Sequence, residues 1–512
     1  MTTADSYDHE VAVIGAGPGG IAAGAMLQQA GIRDFVILER ADEMGGSWRD
    51  NTYPGICVDL PALAYQYSFA RNARWTRLYP GGAEVRSYHL AVAERFGLRR
   101  HVRLSTDIAR EVWDEERHLW KLHTADGRVI TARFLISAVG AFLKPREHVG
   151  IPDMDKYRGK IQRPASWDHS FDHTGLRVAV IGTGASSVQI TPSIAPAVQW
   201  LQVYQRTPVW CLPKYNPELP PWFRRALAIP GVAAALHGGT ALMAGEILTR
   251  LLSSVPLERA GPILQRADDA AKRRYAAYVR QVVNDPETAR QLAPWYGPMA
   301  KRPTFSSTYL QAFNRDNVQL ITERIERFTE KGLLTADGTD HQLDMIVLAT
   351  GYEMFSDPES YRPGTITGRN GFDLSTFYNE HRLQAYESTA LPGLPNRWML
   401  IGPYSWTIAG YHVFIETNAR HAVRAITAAR RRRATAMEVR QNAHDAYDAE
   451  LRRRGEVINY YYTVLNKDVR TYYVNAHGDT PFFRPSSLIE ARWHARHFPL
   501  DDYTYGRLGS LS

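Results

Sequence analysis

Short, wholly apolar runs alternate with alanine-rich stretches at the start of the chain. The run EVAVIG predicts a buried strand, GGIAAGAMLQQAG a helix that Gly31 ends, and DFVILE a second buried strand. The same order returns at LRVAVIG, ASSVQITPSIAPA and WLQVYQR, so two mononucleotide-type βαβ units open near Val11 and Val178. Between them, the stretch from Val102 to Gly140 alternates apolar and polar positions around ADG, which predicts a small antiparallel sheet followed by a buried strand. A parallel phrase, GLLTADGTDHQLDMIVLATGY, follows the second unit and carries its matching glycine at Gly351. The expected fold is α/β, with two Rossmann-like dinucleotide-binding domains. Residues 1–144 give the first part of one domain, 145–349 the other, and 350–512 the second part of the first.

The stretch from about 215 to 300 breaks this grammar. It is rich in Ala, Leu and Arg, and RADDAAKRRYAAYVRQVV has helical spacing, so a helical insertion is expected there, as a lid or as a surface meeting a lipophilic substrate. Leu227 to Leu248 is long enough to span a membrane, but it holds Pro230, His237, Glu246 and four glycines, which argues against a transmembrane helix. A peripheral membrane contact stays open as an alternative.

Composition changes the picture only at a few points. With 512 residues, 44% hydrophobic and 22% charged, the chain is an ordinary globular one of two or three domains. Only Cys57 and Cys211 are present, with no CxxC or HExxH pattern, so neither a dithiol centre nor a metal site is expected. The polar N-terminus MTTADSYDHE shows no signal peptide, and the cytoplasm is the expected compartment. The net charge of +8 gathers in Arg430 to Arg433 and Arg452 to Arg454. No nucleic-acid motif accompanies these runs, so they read as solvated helix faces.

The chemistry sits at the two loops. In GAGPGG, Gly15, Gly17 and Gly20 give a tight turn, close approach of a pyrophosphate and close helix–strand packing. Glu39, at the end of the next strand, suits a free ribose diol and repels a 2′-phosphate, so this site prefers FAD or NAD. In GTGASS, Gly182 and Gly184 recur with Ser187 in the third place. No carboxylate follows; Arg206 and Thr207 end the strand and suit a 2′-phosphate, hence NADP. Ile108, Thr183, Ser186 and Gln189 are expected among the cofactor contacts. One loop for a flavin and one for NADPH imply a flavoprotein that NADPH reduces.

The segment GGSWRDNTYPGICVD reads from its residues alone either as a surface loop with a core Trp or as part of this machinery. It resembles the flavin-dependent Baeyer–Villiger monooxygenases, whose extended pattern is met at Gly46, Trp48, Tyr53, Pro54, Gly55 and Asp59. AYQYSF, QRTP, APWYGPMAKRP, FNRDNV and VLATGY are similar to further stretches of that family, in order. The family's shorter fingerprint is matched in YRGKIQRPASWD at Gly159, Trp167 and Asp168, with Tyr157 for Phe and Arg163 for the usual His. The resemblance implies that NADPH reduces FAD, dioxygen reacts at the reduced flavin, and one oxygen atom is inserted beside a ketone carbonyl to give an ester or lactone. It also implies Arg302 as the active-site arginine, Asp59 as the carboxylate that orients it, Tyr65 as a flavin contact and Lys301 near the NADP 2′-phosphate. The fingerprint is similar to a hinge between the two domains, so Arg163→His is expected to tighten coupling of NADPH use to product. The alternatives are oxygenation of sulfur, as in a thioether, or of nitrogen, and a redox sensor that binds both nucleotides without turnover.

Overall fold

The computed structural model describes residues 6–147, 149–406 and 410–508, with the side chains at 240–245, 247, 248 and 251 set aside. In chain order, β1 (His9–Ile14), α1 (Pro18–Gln29) and β2 (Phe35–Leu38) form the first unit, and β3 (Ile108–Asp114), β4 (Leu119–Thr124) and β5 (Val129–Ser137) the meander. After β6 (Lys160–Gln162), the second unit comprises β7 (Arg177–Ile181), α2 (Ala185–Ile194) and β8 (Trp200–Tyr204). Four helices fill the predicted insertion: α3 (Pro221–Leu227), α4 (Val232–Ser254), α5 (Leu257–Val282) and α6 (Pro286–Leu292). Strands β9 (Val318–Ile321), β10 (Met345–Leu348) and β11 (Arg397–Met399) follow, then the long helix α7 (Tyr411–Arg432) and α8 (Leu488–His497).

The apolar runs are the central strands. β1 lies between β2 and β5, parallel to both, with Val11 to Ile14 buried on both faces. The meander joins this same sheet because β5 serves twice, antiparallel to β4 and parallel to β1 and β11. The second sheet runs β9–β8–β7–β10–β6, all parallel. Here the meander stays apart: the strands Ile325–Thr329, Gly332–Thr335 and Asp340–Gln342 form their own small sheet, and β10 alone enters the parallel core. The polar fingerprint YRGKIQRPASWD supplies the edge strand β6, where one face and one edge stay wet.

α7 packs along α1 and completes the core beneath the first glycine loop. The basic runs lie on helix faces, and several of their arginines have acidic partners. Arg430 pairs with Glu10 at 3.0 Å, Arg452 with Asp448 at 2.7 Å, and Arg453 and Arg454 with Glu450 at 2.8 and 2.6 Å. Among the described residues, no helix is long and apolar enough to cross a membrane, and α4 is a helix of the insertion.

Candidate active site

Each glycine loop is built for close approach. A Cβ at Gly15 would lie 2.7 Å from the Ala138 carbonyl oxygen, and one at Gly182 would lie 2.6 Å from that of Ala349. Both glycines hold positive φ, +102° and +109°, so the two turns are the same device built twice. The helices they open, α1 after Gly17 and α2 after Gly184, have no side-chain cap, and their first N–H groups point toward the loops. A helix start left uncapped beside a glycine turn fits a pyrophosphate.

Glu39 lies at the end of β2, 7% exposed, and accepts the Ala16 N–H at 2.7 Å and the Ala41 N–H at 2.9 Å. Its carboxylate therefore sits on the first loop itself. The Thr106 N–H donates to the Glu39 carbonyl at 2.8 Å, which brings the start of β3, with Ile108, alongside. At the second loop, Ser187 is fully buried where a third glycine would pack, and the Thr183 hydroxyl donates to the Thr207 carbonyl at 2.7 Å. Ser186 stands half-buried in the first turn of α2. Arg206 is exposed and Lys301 half-buried, and neither has an ion pair among the described residues. Burial and the Arg206 cation bring the Lys301 ammonium down to about 8. Two unpaired cations this close, one lowering the other's pKa, fit a 2′-phosphate.

That arrangement has a pH signature. A phosphate needs Lys301 protonated, and in the free protein the ammonium is lost as pH rises through about 8. The KM for NADPH is expected to rise roughly tenfold between pH 7 and 9, while that for NADH stays flat and Lys301→Arg flattens the NADPH profile. Arg206→Ala should raise the NADPH KM by roughly 10- to 100-fold at pH 7 through loss of a charge-assisted bond, with NADH unaffected. Steady-state kinetics with both nucleotides checks each point, and equal effects on the two would contradict a phosphate role.

The segment 45–59 links the two loops. At one end the Gly45 N–H donates to the Ala16 carbonyl at 3.1 Å, and a Cβ at Gly46 would lie 2.9 Å from Gly17 Cα. In the middle the Tyr352 hydroxyl donates to Asn51 Oδ1 at 2.8 Å, and His169, next to the fingerprint, meets the Thr52 hydroxyl at 2.9 Å. Further on, the Tyr53 hydroxyl donates to Gln189 Oε1 at 3.0 Å and Gln189 Nε2 donates to the Cys57 carbonyl at 3.0 Å. Gln189 thus fastens the segment to α2, and Gly55 is required because its φ is +83° and a Cβ would lie 2.6 Å from the Gln189 carbonyl oxygen. The surface-loop reading of this segment is set aside by these contacts.

The segment ends at Asp59, 9% exposed, whose two oxygens face different cations. Arg302 Nη2 donates to Oδ2 at 2.8 Å, and Lys214 Nζ lies 3.8 Å from Oδ1. Lys214 is buried, donates to the Val58 carbonyl at 2.5 Å, stands 3.0 Å from Cys57 Sγ, and lies 5.0 Å from the centre of the Tyr79 ring. Arg302 keeps 42% of its side-chain surface open. Partial burial disfavours its charge, but Asp59, with Tyr472, Tyr473 and Tyr65 around it, outweighs this and holds the guanidinium firmly protonated. Trp48 Nε1 donates to the Tyr65 hydroxyl at 3.1 Å, and the Tyr65 ring meets that of His412 edge-on at 4.6 Å. Burial pushes the Tyr65 phenol up to about 12, so it stays a neutral donor. Lys214, Tyr472 and Tyr473 are members of this cluster that the sequence reading missed. Lys214 lies eight residues beyond Arg206 in a proline-flanked stretch of no recognisable pattern, and TYY differs in no visible way from the chain's many other tyrosines.

In the fingerprint, Tyr157 and Trp167 are core residues, the Tyr157 hydroxyl donates to the Leu343 carbonyl at 3.0 Å, and Asp168 pairs with Lys160 at 2.5 Å. Arg163 donates to the Arg146 and Glu147 carbonyls at 3.1 and 3.3 Å, which pins the stretch leading out of the first unit. A histidine is shorter and, when neutral, offers one N–H to these two acceptors. These two bonds argue for the opposite outcome to tighter coupling: product formed per NADPH in Arg163→His is expected to fall by roughly two- to fivefold, for about one net hydrogen bond lost. Parallel measurement of NADPH oxidised and product formed decides it.

Two nucleotide folds, tied through one segment that ends at a buried carboxylate beside an open arginine, define a two-dinucleotide oxidoreductase. A family model described as pyridine nucleotide-disulphide oxidoreductase matches residues 12–229, although Cys57 and Cys211 are both free. The chain is 36% identical over 408 residues to a Baeyer-Villiger monooxygenase of Streptomyces coelicolor, covering 78% of this chain and 74% of that one. It is also 36% identical over 447 residues to an uncharacterized monooxygenase of Mycobacterium tuberculosis, covering 86% of each. Its structure is similar to that of an oxidized steroid monooxygenase bound to NADP, with a TM-score of 0.84 and 27% identity over 97% of this chain and 99% of that one. The chain belongs to the Baeyer–Villiger monooxygenase family.

Proposed function

We propose that the protein is an NADPH- and dioxygen-dependent flavoprotein monooxygenase that inserts one oxygen atom beside a ketone carbonyl, giving an ester or lactone. The observation that carries this reading is the Arg302–Asp59 pair at 2.8 Å, with the carboxylate buried and the guanidinium open, at the end of the segment joining both nucleotide loops. FAD belongs at the first loop, where Gly15, Gly17, Gly20, Glu39, Gly46, Trp48, Tyr65 and Ile108 would hold it. NADPH belongs at the second, with Gly182, Thr183, Gly184, Ser186 and Ser187 at the pyrophosphate and Arg206, Thr207 and Lys301 at the 2′-phosphate. Gln189 supports the second loop by bonding it to residues 53–57. Residues 1–144 and 350–512 form the flavin domain in this reading, and 145–349 the NADP domain. The cytoplasm is the compartment that supplies its NADPH.

When bound, the two cofactors supply the redox chemistry, hydride transfer and activation of dioxygen. The chain supplies charge and position. Arg302 places a permanent cation where negative charge develops on oxygen, and its delocalised fork stabilises that charge without giving up a proton. Asp59 fixes the fork's direction from below, while Lys214 holds the other oxygen of Asp59 and so keeps the carboxylate from turning. Trp48 and Tyr65 wall the site with a bonded aromatic pair.

The test supplies NADPH and isotopically labelled dioxygen with linear, cyclic and aryl ketones and one thioether. Ester or lactone carrying one labelled oxygen is expected. Sulfoxide alone would move the assignment to heteroatom oxygenation, and hydrogen peroxide alone would remove the oxygenase reading.

A further inference from the structure

Most arginines of the two basic runs have acidic partners, whereas a second set, gathered around one cavity, has none among the described residues. α8 is two-faced: Leu488, Ala491 and Ala495 are buried, while Ile489, Arg492, Trp493 and Arg496 follow one another at helical spacing on the outer side. Trp493 is 57% exposed and Ile489 49%. Across a cavity of about 230 Å³ lies the start of α4, and α3 leads into it with Trp222 67% and Ile229 56% exposed. α3 and α8 both pack on α4, so these large exposed apolar side chains stand on either side of one helix.

The cavity between these elements is lined by Arg71, Arg420, Arg492 and Arg496, with Glu416 and Ser68 on its floor. Four guanidinium groups face one carboxylate, and the Glu416 oxygens are taken up by the backbone N–H and hydroxyl of Ser68. Arg420, Arg492 and Arg496 make no hydrogen bond or ion pair among the described residues. Burial and the neighbouring Arg496 disfavour the charge on both Arg420 and Arg492. Such a set is held against its own repulsion and is relieved by an anion with several oxygens. Tryptophans and aliphatic side chains flanking unpaired arginines match the boundary of a bilayer, where phosphates lie level with the first methylenes.

We propose that the face formed by α3, the start of α4 and α8 docks on an anionic phospholipid surface, a headgroup phosphate entering the cavity among Arg71, Arg420, Arg492 and Arg496. The inference stands apart from the reaction proposed above. The contact is peripheral, since no helix among the described residues crosses a membrane. It reaches the site from behind: Leu227 and Ala233 pack on Leu63 in one apolar cluster, and Leu63 lies between Asp59 and Tyr65 in the chain.

The experiment sediments the FAD-loaded full chain with vesicles of phosphatidylcholine alone and of phosphatidylcholine with phosphatidylglycerol, roughly two to one. Binding to the anionic vesicles alone, weakened by salt, is expected. Arg492→Gln with Arg496→Gln should lower vesicle affinity by roughly 30-fold, about fivefold for each arginine near the surface. Trp493→Ala should weaken binding with little change in its salt dependence. Each variant should keep its FAD content and NADPH oxidation, which separates lost docking from misfolding. Absence of sedimentation with wild-type protein, or equal sedimentation with both vesicles, would overturn the proposal. So would calorimetric binding of inorganic phosphate without binding to anionic vesicles, which would make the cavity a site for a soluble anion.

Discussion

Arg302→Ala is expected to lower ester formation by roughly 100- to 1,000-fold, the effect of removing a fixed charge from the position where negative charge builds up. The variant should stay yellow and oxidise NADPH slowly, because Arg302 touches neither glycine loop and the loops are built from backbone and buried strands. Arg302→Lys keeps a cation but loses the planar fork aimed by Asp59, so it should recover only part of the lost rate. Rapid-mixing measurement of flavin reduction beside product analysis separates these outcomes. Ester formation at the normal rate in Arg302→Ala would contradict the role given to the arginine.

Asp59→Ala is the second large expectation, and it acts on folding as well as chemistry. The carboxylate is 9% exposed and stands between Arg302 and Lys214, the latter 8% exposed. Removing it leaves a buried ammonium facing a guanidinium with no anion between them, which costs about 3 kcal/mol. Asp59→Ala combined with Lys214→Met removes the stranded cation, so the double variant should be more stable than Asp59→Ala while its turnover stays low. Denaturant midpoints read the first quantity and product formation the second. A double variant no more stable than the single one would show that Lys214 is not held by Asp59.

The regular parts of the fold were legible because they are local. Apolar runs of four to six residues, glycine turns and an alanine-rich helix carry their own period, and each βαβ unit lies within one short stretch. The double use of β5 was not legible, since nothing in its residues says that one meander enters the parallel sheet and the other stands apart. At the site, the glycine loops and Glu39 followed from spacing and charge, but Asp59, Tyr65, Lys301 and Arg302 came only with the family resemblance. Lys214, Tyr472 and Tyr473 were hidden because their partners lie far away in sequence. Positive charge misled in the same way. In the conspicuous runs, Arg430 is paired across the fold with Glu10 and Arg452 to Arg454 with acids one turn away, while the unpaired arginines at 420, 492 and 496 stand apart from any run.

The segment from Gly45 to Asp59 is fixed to one nucleotide fold at its start and to the other at Tyr53 and Cys57. It is therefore a ruler. Its length is fixed at both ends: one residue added between Cys57 and Asp59 would advance the carboxylate by about 3.3 Å, more than the 2.8 Å that joins it to Arg302. Drift in this protein's descendants should tolerate substitutions at exposed positions of that stretch, such as Ser47, far more readily than an insertion or deletion anywhere in it.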